Sequence, residues 1–262
     1  MFGLKEYRAV GTLEEGHDLL MQRRDNVILG GLLWMKMGRK QYHTGIDLSG
    51  LGLNGISETE DAIDIGCMTT LRQMETSPLL HQWFGSLFSE AFRGIVGIQF
   101  RNLATIGGSV YSRFGFSDVI TSLMALDTKI HLYKAGMVSL SEFLGMDQKR
   151  DILVKAVIKK QTTKTSFQTQ RKSATDFSVL SVAVGLCKGQ WRIAVGARPS
   201  RAALAENAAR LLPPAPDEEK INAALDAMSE ELSFGTDQRA GAGYRKFLAR
   251  VLVKRGIDVI CR

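Results

Sequence analysis

Arg101-Asn102-Leu103-Ala104-Thr105-Ile106-Gly107-Gly108-Ser109, with Asp118 downstream, carries the strongest signal in the chain. The apolar run from Ile95 to Phe100 leads into it, and a β-branched pair, Thr105 and Ile106, precedes two glycines. Paired glycines remove the Cβ atoms that hold a ligand away from the main chain, and they permit positive φ. Consecutive backbone N–H groups can then converge on an anion as a nest. The hydroxyls of Thr105 and Ser109 flank the pair as further donors. The same residues also suit a plain Gly-Gly turn, so the loop alone leaves both readings open.

Other segments narrow the choice. In chain order they are Leu29-Gly30-Gly31, then Ile65-Gly66-Cys67-Met68-Thr69-Thr70-Leu71, then Ser77-Pro78-Leu79-Leu80. Beyond the central loop come Asp176-Phe177-Ser178-Val179 and Tyr244-Arg245-Lys246. Taken together, over almost the whole chain, these resemble the FAD-binding subunit of the molybdenum hydroxylases. That family includes the flavoprotein parts of xanthine dehydrogenase and carbon monoxide dehydrogenase.

The resemblance implies an α+β fold. Residues 1–160 would form a two-lobed FAD-binding domain of the p-cresol methylhydroxylase and vanillyl-alcohol oxidase type, with lobes of about 1–54 and 55–160. Residues 161–262 would form a small α+β flavoprotein C-terminal domain. The implied cofactor is FAD, held by Ile28, Leu29, Gly30, Gly31, Leu32, Ile95, Thr105, Ile106, Gly107, Gly108, Ser109, Asp118 and Leu153. The implied partners are an iron–sulfur subunit and a molybdopterin-binding subunit, with NAD or another molecule as electron acceptor. No catalytic acid or base is implied on this chain, because the flavin carries the redox chemistry.

The sequence departs from the family at three places. Gly31 runs directly into Leu32-Leu33-Trp34, where the family has a polar pair. Tyr111 to Phe116 is bulky and aromatic where small residues are usual, offering either stacking on the flavin ring or occupation of its space. Gln168 lies near the position of a flavin-touching lysine. Two alternatives therefore stand beside the main reading: a structural subunit with weak or lost FAD binding, and a basic module for another phosphate ligand.

Composition sets the outer bounds. At 262 residues and 45% hydrophobic content the chain can bury a sizeable core. No apolar run reaches the roughly 20 residues of a membrane span, and the N-terminus has no signal-peptide pattern, so a cytoplasmic location is expected. Cys67, Cys187 and Cys261 are far apart, with no C-x-x-C to hold a cluster. The net charge is +7, yet the basic residues are scattered, which points to a solvated basic surface, or one that meets an acidic partner subunit, rather than to nucleic acid.

Local patterns place the elements. Thr12 and Glu15 cap a helix reaching Met21, and Val27-Ile28-Leu29 reads as a strand stopping at the first glycine pair. His43 reads as an edge residue beside a strand over 44–48, not a base. Thr69 or Thr70 starts one helix and Pro78 stands at the first position of the next. Asp118 suits an N-cap for a helix over 119–126. After a polar boundary at 159–164, strands are predicted at 166–170, 177–187 and 191–195, and helices at 202–212, 221–232 and 243–255. The last helix is expected to bury Tyr244, Phe247, Leu248, Val251 and Leu252. Its Arg245, Lys246, Arg250, Lys254 and Arg255 suit either docking against an acidic subunit or a solvated basic face.

Overall fold

A computed structural model describes residues 2–147 and 149–262. The chain forms two compact units. One comprises 1–74, 98–112 and 129–158; the other comprises 75–97, 113–128 and 159–262.

The first unit opens with alternating strands and helices: β1 (Gly3–Ala9), α1 (Leu13–Gln22), β2 (Val27–Leu29), α2 (Leu33–Met37) and β3 (Gln41–Asp47). Each strand is followed by a crossover helix, so the sheet is parallel, in the order β1-β3-β2. Thr12 accepts from the Glu15 amide, and Glu15 reaches back to the Gly11 amide. A second, five-stranded sheet has the order β4-β5-β8-β6-β7. Its strands are β4 (Ile56–Glu58), β5 (Ala62–Gly66), β6 (Thr128–Leu132), β7 (Gly136–Ser139) and β8 (Leu153–Lys159). Short helices α3 (Leu71–Glu75), α6 (Ile98–Arg101), α7 (Ile106–Tyr111) and α9 (Leu140–Gly145) complete the unit.

The second unit is built on the antiparallel sheet β12-β11-β10-β9. Its strands are β9 (Lys164–Arg171), β10 (Ser178–Cys187), β11 (Gln190–Gly196) and β12 (Ala203–Leu204), with β10 and β11 joined by a tight turn as predicted. The first eight residues of β10 are all buried, because helices cover both faces of the sheet. On one face, Gly256 of α12 (Ala242–Cys261) comes so close to β10 that a Cβ there would lie 2.7 Å from Val184. On the other, Gly196 admits Thr121 of α8 (Asp118–Met124) beside Ser181. Val184 and Ser181 are an odd number of residues apart, so they point to opposite faces. Helices α4 (Pro78–Phe84) and α5 (Leu87–Phe92) share an apolar stripe: Leu80, Phe84, Leu87, Phe88 and Phe92 are core residues of this unit. Pro78 stands at the first helical position behind the Ser77 cap. The remaining helices are α10 (Glu206–Arg210) and α11 (Glu218–Glu231).

Three expectations need correction. Ala202 to Leu212 is not one helix: Ala203 and Leu204 pair with Val195 and Ala194 as a strand, and only 206–210 is helical. Helix α12 runs on to Cys261, and its aromatic residues face outward, Tyr244 at 52% and Phe247 at 64% exposure. Its Arg245 is instead 1% exposed, donating to the carbonyls of Val179, Gly235 and Ala240 and to Asp237. Arg250 and Lys254 pair within the chain, with Asp226 and Glu218 of α11.

Candidate functional site

In the first unit, the two glycine loops and the Ile65–Leu71 segment form one structure. Strand β2 ends at Leu29, and the chain then turns through Gly30 and Gly31 into Leu32, a non-glycine in the left-handed region at φ 61°. That conformation costs a β-carbon residue about 1–2 kcal/mol. A Cβ on Gly30 would lie 3.0 Å from Thr105 Oγ1, and one on Gly31 only 1.9 Å from the Leu103 carbonyl oxygen. The first glycine pair is therefore the requirement for the two loops to touch, with the Thr105 hydroxyl at their seam.

The second loop is held from behind. Its amides do not form the open anion nest expected from the glycine pair. Ile106 N–H donates to the Thr69 carbonyl at 2.9 Å and Gly107 N–H to the Cys67 carbonyl at 2.8 Å. Gly108 N–H donates to Thr105 Oγ1 at 3.2 Å, and Ser109 N–H and Oγ both donate to the Thr105 carbonyl. Thr105 is thus the N-cap of α7. Gly107 faces the Cys67 backbone, where a Cβ would meet the carbonyl oxygen at 2.7 Å, so this glycine serves the fold. Gly108 is exposed, and the nearest atom to its Cβ would be Thr105 Oγ1 at 3.3 Å. By contrast, the amides of Gly31 and Leu32 donate to no backbone acceptor among the described residues. The donors left for an anion are on the first loop, with Gly108 open beside the seam.

The scaffold extends further back. Thr69, fully buried, exchanges hydrogen bonds with the Gly55 backbone, and Thr70 accepts from Gln73 as the cap of α3. Leu153, 5% exposed, begins β8, and the next carbonyl, of Val154, accepts from the Cys67 amide at 2.9 Å. Burial pushes the Cys67 thiol up to about 12, so it stays protonated and inert. Ile28 is partly exposed, while Leu29 and Ile106 are buried core side chains that offer a ligand at most their backbone.

Ile95 and Asp118 belong to the second unit. Ile95 follows α5, its amide bonded to the Phe92 carbonyl at 2.8 Å. Asp118 is not the N-cap of α8; Ser117 is, and Asp118 is the first helical residue, 4% exposed. One of its carboxylate oxygens pairs with Arg171, and the other accepts from Ser178 Oγ at 2.9 Å. Burial raises its pKa, and Arg171 and Ser178 pull it back. Arg171 also donates to the Asp176 carbonyl, so Asp118 fastens α8 to the ends of β9 and β10. The sequence held one sign of this role: Asp176 and Ser178 lie in the Asp-Phe-Ser-Val segment, but nothing local tied them to Asp118.

The bulky stretch after Ser109 divides between the units. In the first, Tyr111 donates its hydroxyl to the Lys149 carbonyl and accepts from the Asp151 amide. In the second, Phe114 stacks on Phe116 with ring centroids 5.0 Å apart, Phe116 packs on Phe177 at 4.3 Å, and Arg239 lies 4.8 Å over Phe177. Among the described residues no group of three or more His, Cys, Asp or Glu is placed to hold a metal, and no helix is long and apolar enough to cross a membrane.

Comparison with known proteins agrees with this arrangement. The sequence family described as the FAD binding domain in molybdopterin dehydrogenase matches residues 2–160, and the CO dehydrogenase flavoprotein C-terminal domain matches 165–259. The chain belongs to this family of flavoprotein subunits of multi-subunit oxidoreductases, whose cofactor is FAD. It is 25% identical to the carbon monoxide dehydrogenase medium chain of Hydrogenophaga pseudoflava, over 97% of this chain and 96% of that one. It is 26% identical to the nicotine 6-hydroxylase medium subunit of Paenarthrobacter nicotinovorans, covering 96% and 95%. With the putative xanthine dehydrogenase FAD-binding subunit of Escherichia coli it shares 28% identity over 51% of this chain, about half (47%) of that relative's length. The solved carbon monoxide dehydrogenase of H. pseudoflava superposes with a TM-score of 0.89 at 25% identity, over 97% of this chain and 96% of that one. The fold is thus the two-lobed FAD-binding type with a flavoprotein C-terminal domain.

Proposed function

We propose that this chain is the FAD-binding electron-transfer subunit of a cytoplasmic molybdopterin-dependent hydroxylase or dehydrogenase. In this reading it takes electrons from iron–sulfur clusters on a partner subunit and passes them through FAD to NAD or another acceptor. The observation that carries the reading is the seam of glycine loops, lying within a family match that runs nearly end to end.

The residues suit the cofactor. Gly30 and Gly31 bring the loops together, the Gly31 and Leu32 amides are donors toward the diphosphate, and Gly108 leaves room for it beside Thr105. Ile28, Leu29, Ile106, Ser109 and Leu153 of the same unit contribute backbone, hydroxyl or apolar surface. Gly107 contributes by holding α7 in place, while Asp118, in the second unit, holds α8 to β9 and β10 there. When bound, FAD supplies the chemistry that couples one-electron donors to a two-electron acceptor. The chain's own task is to bind, orient and shield it. Iron–sulfur and molybdopterin groups lie on other polypeptides in this reading, consistent with three free, dispersed cysteines.

The test is to purify the chain, titrate it with FAD and record the flavin bands, then ask whether iron–sulfur and molybdopterin subunits copurify. Stoichiometric FAD and a heteromeric complex are expected. A chain that remains colourless at saturating FAD would favour the second reading, a structural subunit of the same complex. The direct run from Gly31 into left-handed Leu32, without the family's polar pair, is what keeps that reading in view.

A further inference from the structure

Helix α12 has two apolar faces, and the fold uses one. Its inner face, including Leu248, Leu252 and Ile257, packs into the core of the second unit. Its outer face carries Tyr244 and Phe247, one helical turn apart, at 52% and 64% exposure, with Val251 partly buried behind them. Surface helices do not ordinarily turn two large aromatics to water; aromatics are enriched in the cores of protein interfaces, with polar and charged residues at the rim. The cations nearby fall into two groups. Arg250 and Lys254 are paired with Asp226 and Glu218. Lys246 and Arg255 are exposed and form no ion pair among the described residues, and the acid on this part of the helix is Asp258, partly buried.

We propose that the outer face of α12 is a docking surface for a different polypeptide, whose matching surface is apolar at its centre and acidic at its edge. Tyr244 and Phe247 anchor the contact, and Lys246 and Arg255 steer and register it. A second copy of this chain suits the surface poorly, because an isologous contact would set Lys246 and Arg255 against their own kind. The proposal deepens the assembly reading above, naming one of the complex's other subunits as occupant, and rests on it.

The test uses the full chain, tagged and expressed in its source organism. A photo-crosslinking benzoylphenylalanine replaces Phe247 in one strain and Leu211, an exposed residue of the same unit, in another. Partners are identified by mass spectrometry. Crosslinking from position 247, but not 211, to an acidic segment of an iron–sulfur or molybdopterin subunit is the expected result. Phe247→Glu and Tyr244→Glu should each weaken the purified complex at least tenfold, while the isolated variants keep wild-type unfolding transitions. Lys246→Glu with Arg255→Glu should weaken it most at low salt, where the Debye length is about 30 Å, and little near 1 M, where it is about 3 Å. A crosslink to a second copy of this chain overturns the proposal. So does an unchanged complex in the glutamate variants, provided the wild type assembles. If the wild type itself joins no such subunits, it is the assembly reading that fails.

Discussion

Gly107 and Gly108 are neighbours, yet the structure gives them opposite duties, and alanine at each should separate folding from cofactor binding. A Cβ at Gly107 meets the Cys67 carbonyl oxygen at 2.7 Å and the Cys67 Cβ at 2.9 Å, and Cys67 is buried. Its neighbours cannot yield cheaply, because the same carbonyl accepts the Gly107 amide and the Cys67 amide is tied to β8. Overpacking of this kind costs about 1–3 kcal/mol. At about 2–4 °C per kcal/mol for a chain of this size, Gly107→Ala should lower the midpoint of thermal unfolding by several degrees, with or without FAD. A Cβ at Gly108 meets only Thr105 Oγ1, at 3.3 Å, and otherwise points into open space. There the gain in helix propensity, about 0.8–1 kcal/mol, should leave stability unchanged or slightly higher. The same methyl intrudes where the cofactor would approach the seam. A loss of about 1.4 kcal/mol in binding is tenfold in Kd, and Gly108→Ala should weaken FAD by at least that factor. Differential scanning fluorimetry of both apoproteins, with FAD titration by flavin fluorescence, reads the two effects separately. The reasoning is wrong if Gly107→Ala unfolds at the wild-type temperature, or if Gly108→Ala binds FAD with unchanged affinity.

Three further outcomes are expected. With its thiol pushed up to about 12, Cys67 should resist alkylation at pH 8 in the native chain, while exposed Cys261 reacts; labelling followed by peptide mapping checks this. Asp118→Asn leaves the mostly buried Arg171 without its counter-charge and should cost up to about 3–5 kcal/mol in urea unfolding, whereas replacing both partners with apolar residues should recover much of it. Desolvation works to raise the Asp237 carboxyl, but the hydrogen bond from Arg245 and the Arg239 and Ala240 amides hold it below its ordinary value of 3.8. Its folded pKa lies below its unfolded one, so its contribution is present above pH 4 and is lost as pH falls through the lower value. Asp237→Asn should therefore flatten the acid limb of the stability curve, read by denaturant midpoints between about pH 2 and 5.

Much of this was legible locally. Strand β2 stopping at a glycine pair, the Thr12 and Ser77 caps and the β10–β11 hairpin follow from short-range rules of backbone and side-chain chemistry, and they appear in place. What escaped depends on partners distant in sequence. Ala202 to Leu212 has strong helix formers, yet its start is claimed by the free edge of β11. In α12, Arg245 takes the inward position because three carbonyls and Asp237 surround its guanidinium, and the aromatics turn outward in consequence. The loop amides looked free from the glycine pattern; only the fold shows that Cys67 and Thr69 engage them, which makes the Ile65–Leu71 motif the back wall of the loop.

The family domains meet in sequence between residues 160 and 165, but each compact unit is assembled from three separated stretches. A gene cut at that junction would yield a downstream fragment lacking 75–97 and 113–128. Phe84, Phe88 and Phe92 would be stranded on the other piece, along with Asp118 and its claim on Arg171. Such halves should be poor at folding separately, yet able to find each other when mixed. A protease nicking the linker should accordingly leave the molecule in one piece until denaturant is added.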